Sequence, residues 1–139
     1  VDRLGRLDDA DLWGLDCRAS ALETAREGRY VENALQGLPE SLRSAYLERT
    51  DAKLRVRDRL RAAANWTVGN ALSLSRLGSW NLILCRNLAI YLRPATSTAL
   101  WHRLSRALTP GGYLVVGRAE KPRVSGLTPV GPCTYRKSR

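Results

Sequence analysis

Ser79-Trp80-Asn81-Leu82-Ile83-Leu84-Cys85-Arg86-Asn87-Leu88-Ala89-Ile90-Tyr91-Leu92, followed downstream by Thr109-Pro110-Gly111-Gly112 and Tyr113-Leu114-Val115-Val116-Gly117, is the stretch whose reading decides the fold. Trp80–Cys85 reads as a strand, and its unbroken Leu-Ile-Leu centre suits a parallel strand covered on both faces. A helix is expected over about Ala95–Leu108, because Leu100, Trp101, Leu104, Ala107 and Leu108 follow helical spacing. The Pro-Gly-Gly run reads as a turn, and a second buried strand follows over Tyr113–Gly117, running on to Ala119-Glu120. Strand, polar tip, helix, turn and strand make a βαβ crossover. In an open parallel sheet the ligand lies beyond the carboxyl ends of the strands, so Arg86, Asn87 and Tyr91 fall where a small molecule would bind.

Working outward, Leu12-Trp13-Gly14-Leu15-Asp16 reads as a buried strand closed by a carboxylate, and Ala19–Glu27 as a helix stopped by Gly28. A helix is expected to start around Leu38-Pro39-Glu40-Ser41, with Leu42, Ala45 and Tyr46 on its apolar side. Thr50–Lys53 reads as a linker, Leu54–Val56 as a short edge strand, and Leu60–Ala64 as either helix or strand. Ala64–Val68 reads as a strand on the strength of Trp66, Thr67 and Val68, closed by Gly69-Asn70. Residues Leu127–Arg136 read as two short strands about a Gly-Pro turn. These elements make an α/β chain of one domain, residues 1–139.

Composition narrows the class. At 139 residues and 44% hydrophobic content, the chain is sized for one core. Its longest apolar run, Leu82–Leu92, is cut by Arg86-Asn87 and falls short of the ~20 residues a bilayer span needs. No apolar leader stands at Val1–Arg6, so no signal peptide is expected. Three cysteines, Cys17, Cys85 and Cys133, have neither disulfide nor zinc spacing, and with them a cytoplasmic location is expected. The net charge of +10 allows attraction to nucleic acid or to an acidic protein surface, but the basic residues are spread along the chain with few aromatic residues among them. A solvated arginine-rich surface is the plainer reading. No methionine occurs, not even at position 1, which is expected of a fragment, a processed product or a trimmed chain.

The Cys85-Arg86-Asn87 and Ile90-Tyr91-Leu92 runs, with Pro110-Gly111-Gly112-Tyr113-Leu114 downstream, resemble the catalytic domain of the chemotaxis-receptor methyltransferases, the CheR-type family. The resemblance extends from Leu12 to Lys137. It implies a Rossmann-like class I methyltransferase sheet with a C-terminal antiparallel hairpin. The implied cofactor is S-adenosylmethionine (SAM), the implied reaction O-methylation of glutamate, and the implied partner a glutamate-bearing chemoreceptor helix. Against that family, no Gly-rich loop precedes Asp16, so the first strand and its loop are expected to be absent, as is the helical receptor-touching domain. That strand would lie between those ending at Asp16 and Cys85, supplied by upstream sequence or another chain. The chain alone is then expected to be neither active nor stably monomeric.

Residue types at the strand tips give the expected site. Asp16 can accept both hydroxyls of a ribose, or act as an N-cap for the helix near Ala19; the resemblance implies the ribose role. Asn70 offers the donor and acceptor that match an adenine edge, or serves as a turn residue, and stands with Ala71 where the family has Asn-Leu beside the adenine. Asn87 and the backbone of Leu88 fall where the family lines the cofactor near its sulfonium. Arg86 and Tyr91 are candidates for positioning substrate or cofactor, with a structural arginine and a rim tyrosine as the alternatives. No metal site is expected, and the single histidine, His102, reads as a surface residue of the helix. Gly117-Arg118-Ala119-Glu120 replaces the family's Gly-His-Ser-Glu, and Asn81 replaces an acidic residue. Two other readings stand beside the enzyme: a degenerate, non-catalytic binding relative, and a methyltransferase acting on nucleic acid.

Overall fold

The computed structural model describes residues 5, 7–50, 53–74 and 77–139. Packing divides the chain into two compact units, Val1–Asn70 and Ala71–Arg139. The first begins with β1 (Leu12–Asp16) and α1 (Ala19–Glu27), where the sequence places them. Gly28 ends α1 at φ +64°, a left-handed conformation that costs glycine little, and its N–H bonds Thr24 O at 2.8 Å. Next come β2 (Arg29–Tyr30), a 3₁₀ turn over Glu32–Leu35, α2 (Glu40–Tyr46) entered through Pro39, β3 (Leu47–Thr50) and β4 (Lys53–Val56). α3 (Asp58–Ala62) and β5 (Ala64–Val68) close the unit and settle the ambiguous Leu60–Ala64 stretch.

β1 and β5 pair in parallel, Leu12 opposite Ala64 through Asp16 opposite Val68. β2, β4 and β3 form a separate antiparallel sheet in that order. β4 is therefore central, not the edge strand expected of Leu54–Val56. Its arginine-rich pattern hid this, but Leu54 is buried and Arg55 reaches Glu48 and Asp58 at 3.1 and 3.0 Å. Of the expected Thr50–Lys53 linker, residues 51 and 52 lie outside the described set, and Thr50 and Lys53 are the last pair of β3 and β4. Likewise, of the start Val1–Arg6 only Gly5 is described.

The second unit contains the expected crossover: β6 (Trp80–Cys85), a 3₁₀ turn over Ala89–Tyr91, α4 (Pro94–Ala107) and β7 (Leu108–Val116). Pro94 opens α4 in its first turn, where the missing N–H costs nothing. β7 starts earlier than Tyr113 because the strand runs through Pro110-Gly111-Gly112: Trp80 pairs with Leu108 and Leu82 with Tyr113, so five β7 steps match two on β6. The Pro-Gly-Gly run is thus an excursion within a strand, not a turn between elements. β8 (Leu127–Gly131) and β9 (Thr134–Lys137) form the expected hairpin, and the sheet order is β6-β7-β9-β8, with only the β6–β7 pair parallel.

The core of this unit lies between α4 and one face of the sheet. Leu100, Trp101, Leu104, Leu108, Leu114 and Val116 are buried there, with Ile83 and Cys85 packed against them. The opposite face of β6 is open: Leu82 is 53% and Leu84 68% exposed. The expectation of a strand covered on both faces fails here because β6 is an edge strand of this sheet and α4 covers one side only. Among the described residues no helix is long and apolar enough to cross a membrane.

Leu100→Ala should lower unfolding stability by about 2–5 kcal/mol, since its side chain is fully buried. Leu84→Thr should stay within about 0.5 kcal/mol of the parent. Denaturant midpoints of the two variants check the difference between the faces.

Candidate functional site

Two strand tips carry the residues of interest, one in each unit. In the first, the parallel register sets Asp16 opposite Val68, and Gly69 N–H bonds Asp16 O at 3.0 Å. Asn70, exposed, follows two residues past Val68 on the neighbouring strand, so Asp16 and Asn70 leave adjacent strands at the same end. The Asp16 carboxylate, about a third exposed (32%), accepts Arg18 N–H at 2.8 Å and the Arg18 guanidinium at 3.3 Å. The guanidinium bond and then the backbone bond of Arg18 hold the Asp16 carboxyl below its ordinary value of 3.8. The N-cap of α1 is Arg18, with no side-chain cap bond, so Asp16 orders the chain just ahead of the helix rather than capping it. Its Oδ2 accepts the exposed Arg18 guanidinium. An ionised acceptor at a solvent-facing strand tip is the donor-seeking group a ribose diol requires.

Ala71 belongs to the second unit. It is half-buried against the α4 core, and its carbonyl accepts Arg103 Nε at 2.8 Å. Its side chain packs in part against that core.

The second tip is the turn after β6. Asn87 adopts φ +57°, and the chain then enters the Ala89–Tyr91 turn, where Leu88 O accepts Tyr91 N–H and Ala89 O accepts Leu92 N–H. A residue to which the sequence reading gave no role holds this turn. Glu120, only 5% exposed, accepts four backbone N–H bonds. One carboxylate oxygen takes Asn87 N–H at 2.9 Å and Gly117 N–H at 2.6 Å; the other takes Leu88 N–H at 2.9 Å and Ala89 N–H at 2.7 Å. Gly117 permits this closeness: a Cβ there would overlap Asn87 Oδ1 and lie 2.8 Å from a Glu120 oxygen. Burial disfavours the charged form, but the bonds from Gly117, Asn87, Ala89 and Leu88 outweigh it and hold the Glu120 carboxyl below its ordinary 4.5. The signal available in sequence was a carboxylate three residues past the end of a buried strand, beside a turn rich in unsatisfied N–H groups.

Around this cradle, Arg86, Asn87 and Leu88 are exposed, and Tyr91 is 81% exposed, so its ring stands open to solvent. The Asn87 carbonyl and side-chain amide form no hydrogen bond among the described residues. Cys85 is a half-buried apolar thiol: burial first, and the nearby Glu120 charge second, push it up to about 12, which leaves it unreactive. His102 is exposed on α4, as the sequence reading expects.

Residues 3–128 match the family described as CheR methyltransferase, SAM binding domain. The chain is 34% identical over 129 residues to chemotaxis protein methyltransferase 1 of Vibrio cholerae, covering 91% of this chain and 46% of that protein. It is 32% identical over 123 residues to a probable biofilm formation methyltransferase, WspC, of Pseudomonas putida, covering 85% of this chain and 29% of that protein. A solved structure of a possible exported protein from Bordetella parapertussis aligns with a TM-score of 0.50 at 23% identity, covering 76% of this chain and 27% of that one. The match defines the SAM binding domain of a methyltransferase family. The chain belongs to the CheR methyltransferase family. It spans about half the length, or less, of the curated relatives it matches.

Because Glu120 is more acidic folded than unfolded, its stabilisation is complete above about pH 4.5 and is lost as pH falls from there through its lower folded-state pKa. Glu120→Gln should cost roughly 1–3 kcal/mol at pH 7 by leaving buried N–H groups poorly paired. That deficit should shrink as the pH drops below 4.5, and parallel denaturation series from pH 7 to 3 read it directly.

Proposed function

We propose that this chain is the cofactor-binding part of a cytoplasmic protein-glutamate O-methyltransferase acting on chemoreceptors. The observation that carries the reading is the family match over residues 3–128. The relatives named chemotaxis protein methyltransferase support the chemoreceptor substrate.

SAM supplies an electrophilic methyl group when bound. Asp16 accepts the ribose hydroxyls, and Asn70, followed by Ala71, reads the adenine edge. Asn87 and the Leu88 backbone line the cofactor near its charged sulfur. Exposed Arg86 and Tyr91 border the same turn and orient the acceptor side chain. A glutamate carboxylate, with a reference pKa of ~4.3, is ionised at neutral pH. The chain therefore has no proton to remove, and its residues act by alignment and by excluding water from the acceptor.

Labelled-methyl transfer from SAM to a cytoplasmic chemoreceptor fragment, measured with the protein at its natural length, tests the activity. Label on receptor glutamates is the expected result, and none under saturating SAM contradicts the reading. Asp16→Ala should raise the dissociation constant for SAM roughly 10- to 100-fold, in line with the ~1.5–3 kcal/mol of hydrogen bonds to a charged group. An unchanged constant by calorimetry removes Asp16 from the site.

A further inference from the structure

We propose that Glu120 is a positioning residue that makes the Asn87–Ala89 turn selective for the cationic cofactor over its neutral thioether product, S-adenosylhomocysteine. The inference rests on the reading that this turn faces the cofactor sulfur.

Three observations carry it. First, a buried carboxylate binds the N–H groups of three consecutive residues, Asn87, Leu88 and Ala89, and of Gly117 across the sheet. Such a run of N–H groups is the arrangement that ordinarily binds a phosphate or another anion. Here the chain fills it with its own anion, so the turn has no backbone donor left for a ligand. Second, the Asn87 carbonyl and amide remain unengaged among the described residues, so Asn87 still has oxygen acceptors to offer. Third, the carboxylate itself is a full negative charge placed directly behind the turn in a water-poor setting, where charge interactions are weakened less than in bulk solvent.

Oxygen acceptors backed by a buried anion complement a positive group. SAM carries a positive sulfur and S-adenosylhomocysteine does not, while both carry the same adenine, ribose, amine and carboxylate. Glu120 therefore acts on the difference between the two ligands. Asp16, through the shared ribose, acts on both alike.

The test is calorimetric titration of the protein at its natural length with SAM and, separately, with S-adenosylhomocysteine, for the parent, Glu120→Gln, Gly117→Ala and Asp16→Ala. Glu120→Gln removes the charge and sets an NH₂ group against backbone donors. It should weaken SAM roughly tenfold while changing S-adenosylhomocysteine about threefold or less. Gly117→Ala keeps the charge but crowds Asn87 and the carboxylate, and should shift the affinity ratio in the same direction. Asp16→Ala should weaken both ligands by the same factor. If Glu120→Gln does not fold, as read from its thermal melt, Gly117→Ala decides. An affinity ratio unchanged in the folded variants, while Asp16→Ala weakens both ligands, overturns the role of Glu120 alone. Asp16→Ala leaving both ligands unaffected overturns the site reading beneath it.

Discussion

A single buried carboxylate organises the tip of the β6–β7 crossover. Glu120 supplies two acceptor oxygens to four backbone N–H groups, two per oxygen, at 2.6 to 2.9 Å. Without it, the turn after β6 would leave three consecutive N–H groups without this acceptor; the left-handed φ of +57° at Asn87 is one that asparagine tolerates. Burial of the carboxylate is tolerable only because those donors replace water. Charge, turn conformation and the close approach of Gly117 therefore meet at one point of the fold.

The rest of the second unit brings this tip into being. α4 packs Leu100, Trp101 and Leu104 onto the face of the sheet that carries Ile83, Leu114 and Val116, which aligns β6 with β7. Alignment sets Cys85 opposite Val116; from there Gly117 is one residue out past β7 and Asn87 two residues out past β6. In the first unit the same logic operates on a smaller scale. The parallel β1–β5 register puts Asp16 opposite Val68, and so brings a carboxylate and Asn70 to one end of a strand pair. Both units thus present polar side chains at the carboxyl ends of parallel strands, the location that open α/β sheets use for ligands.

Much of this was legible in the residues. β1, α1, β5, β6 and the C-terminal hairpin follow directly from apolar runs and from Gly and Pro punctuation. Strands β2 and β3 were not legible, because Arg29-Tyr30 and Leu47–Thr50 are too short and polar to show a period; their pairing with β4 decides them. The openness of β6 was invisible for a different reason. Leu82-Ile83-Leu84 reads the same whether or not anything covers its second face, since composition records what could be buried and not what is. Asp16 and Asn70 stand at the ends of one parallel strand pair and Asn87 just past the end of β6, positions the sequence indicates; their binding roles belong to the proposal. Glu120 was passed over because its partners are backbone groups, which no side-chain pattern reveals.

The account depends most directly on the ionisation of Glu120 in the folded protein. Following the carboxyl carbon of Glu120 by NMR as a function of pH measures it. The account predicts a midpoint below 4.5, with the Asn87, Leu88, Ala89 and Gly117 amide resonances moving on the same transition. A midpoint at or above 4.5, or amides that ignore the titration, would contradict it.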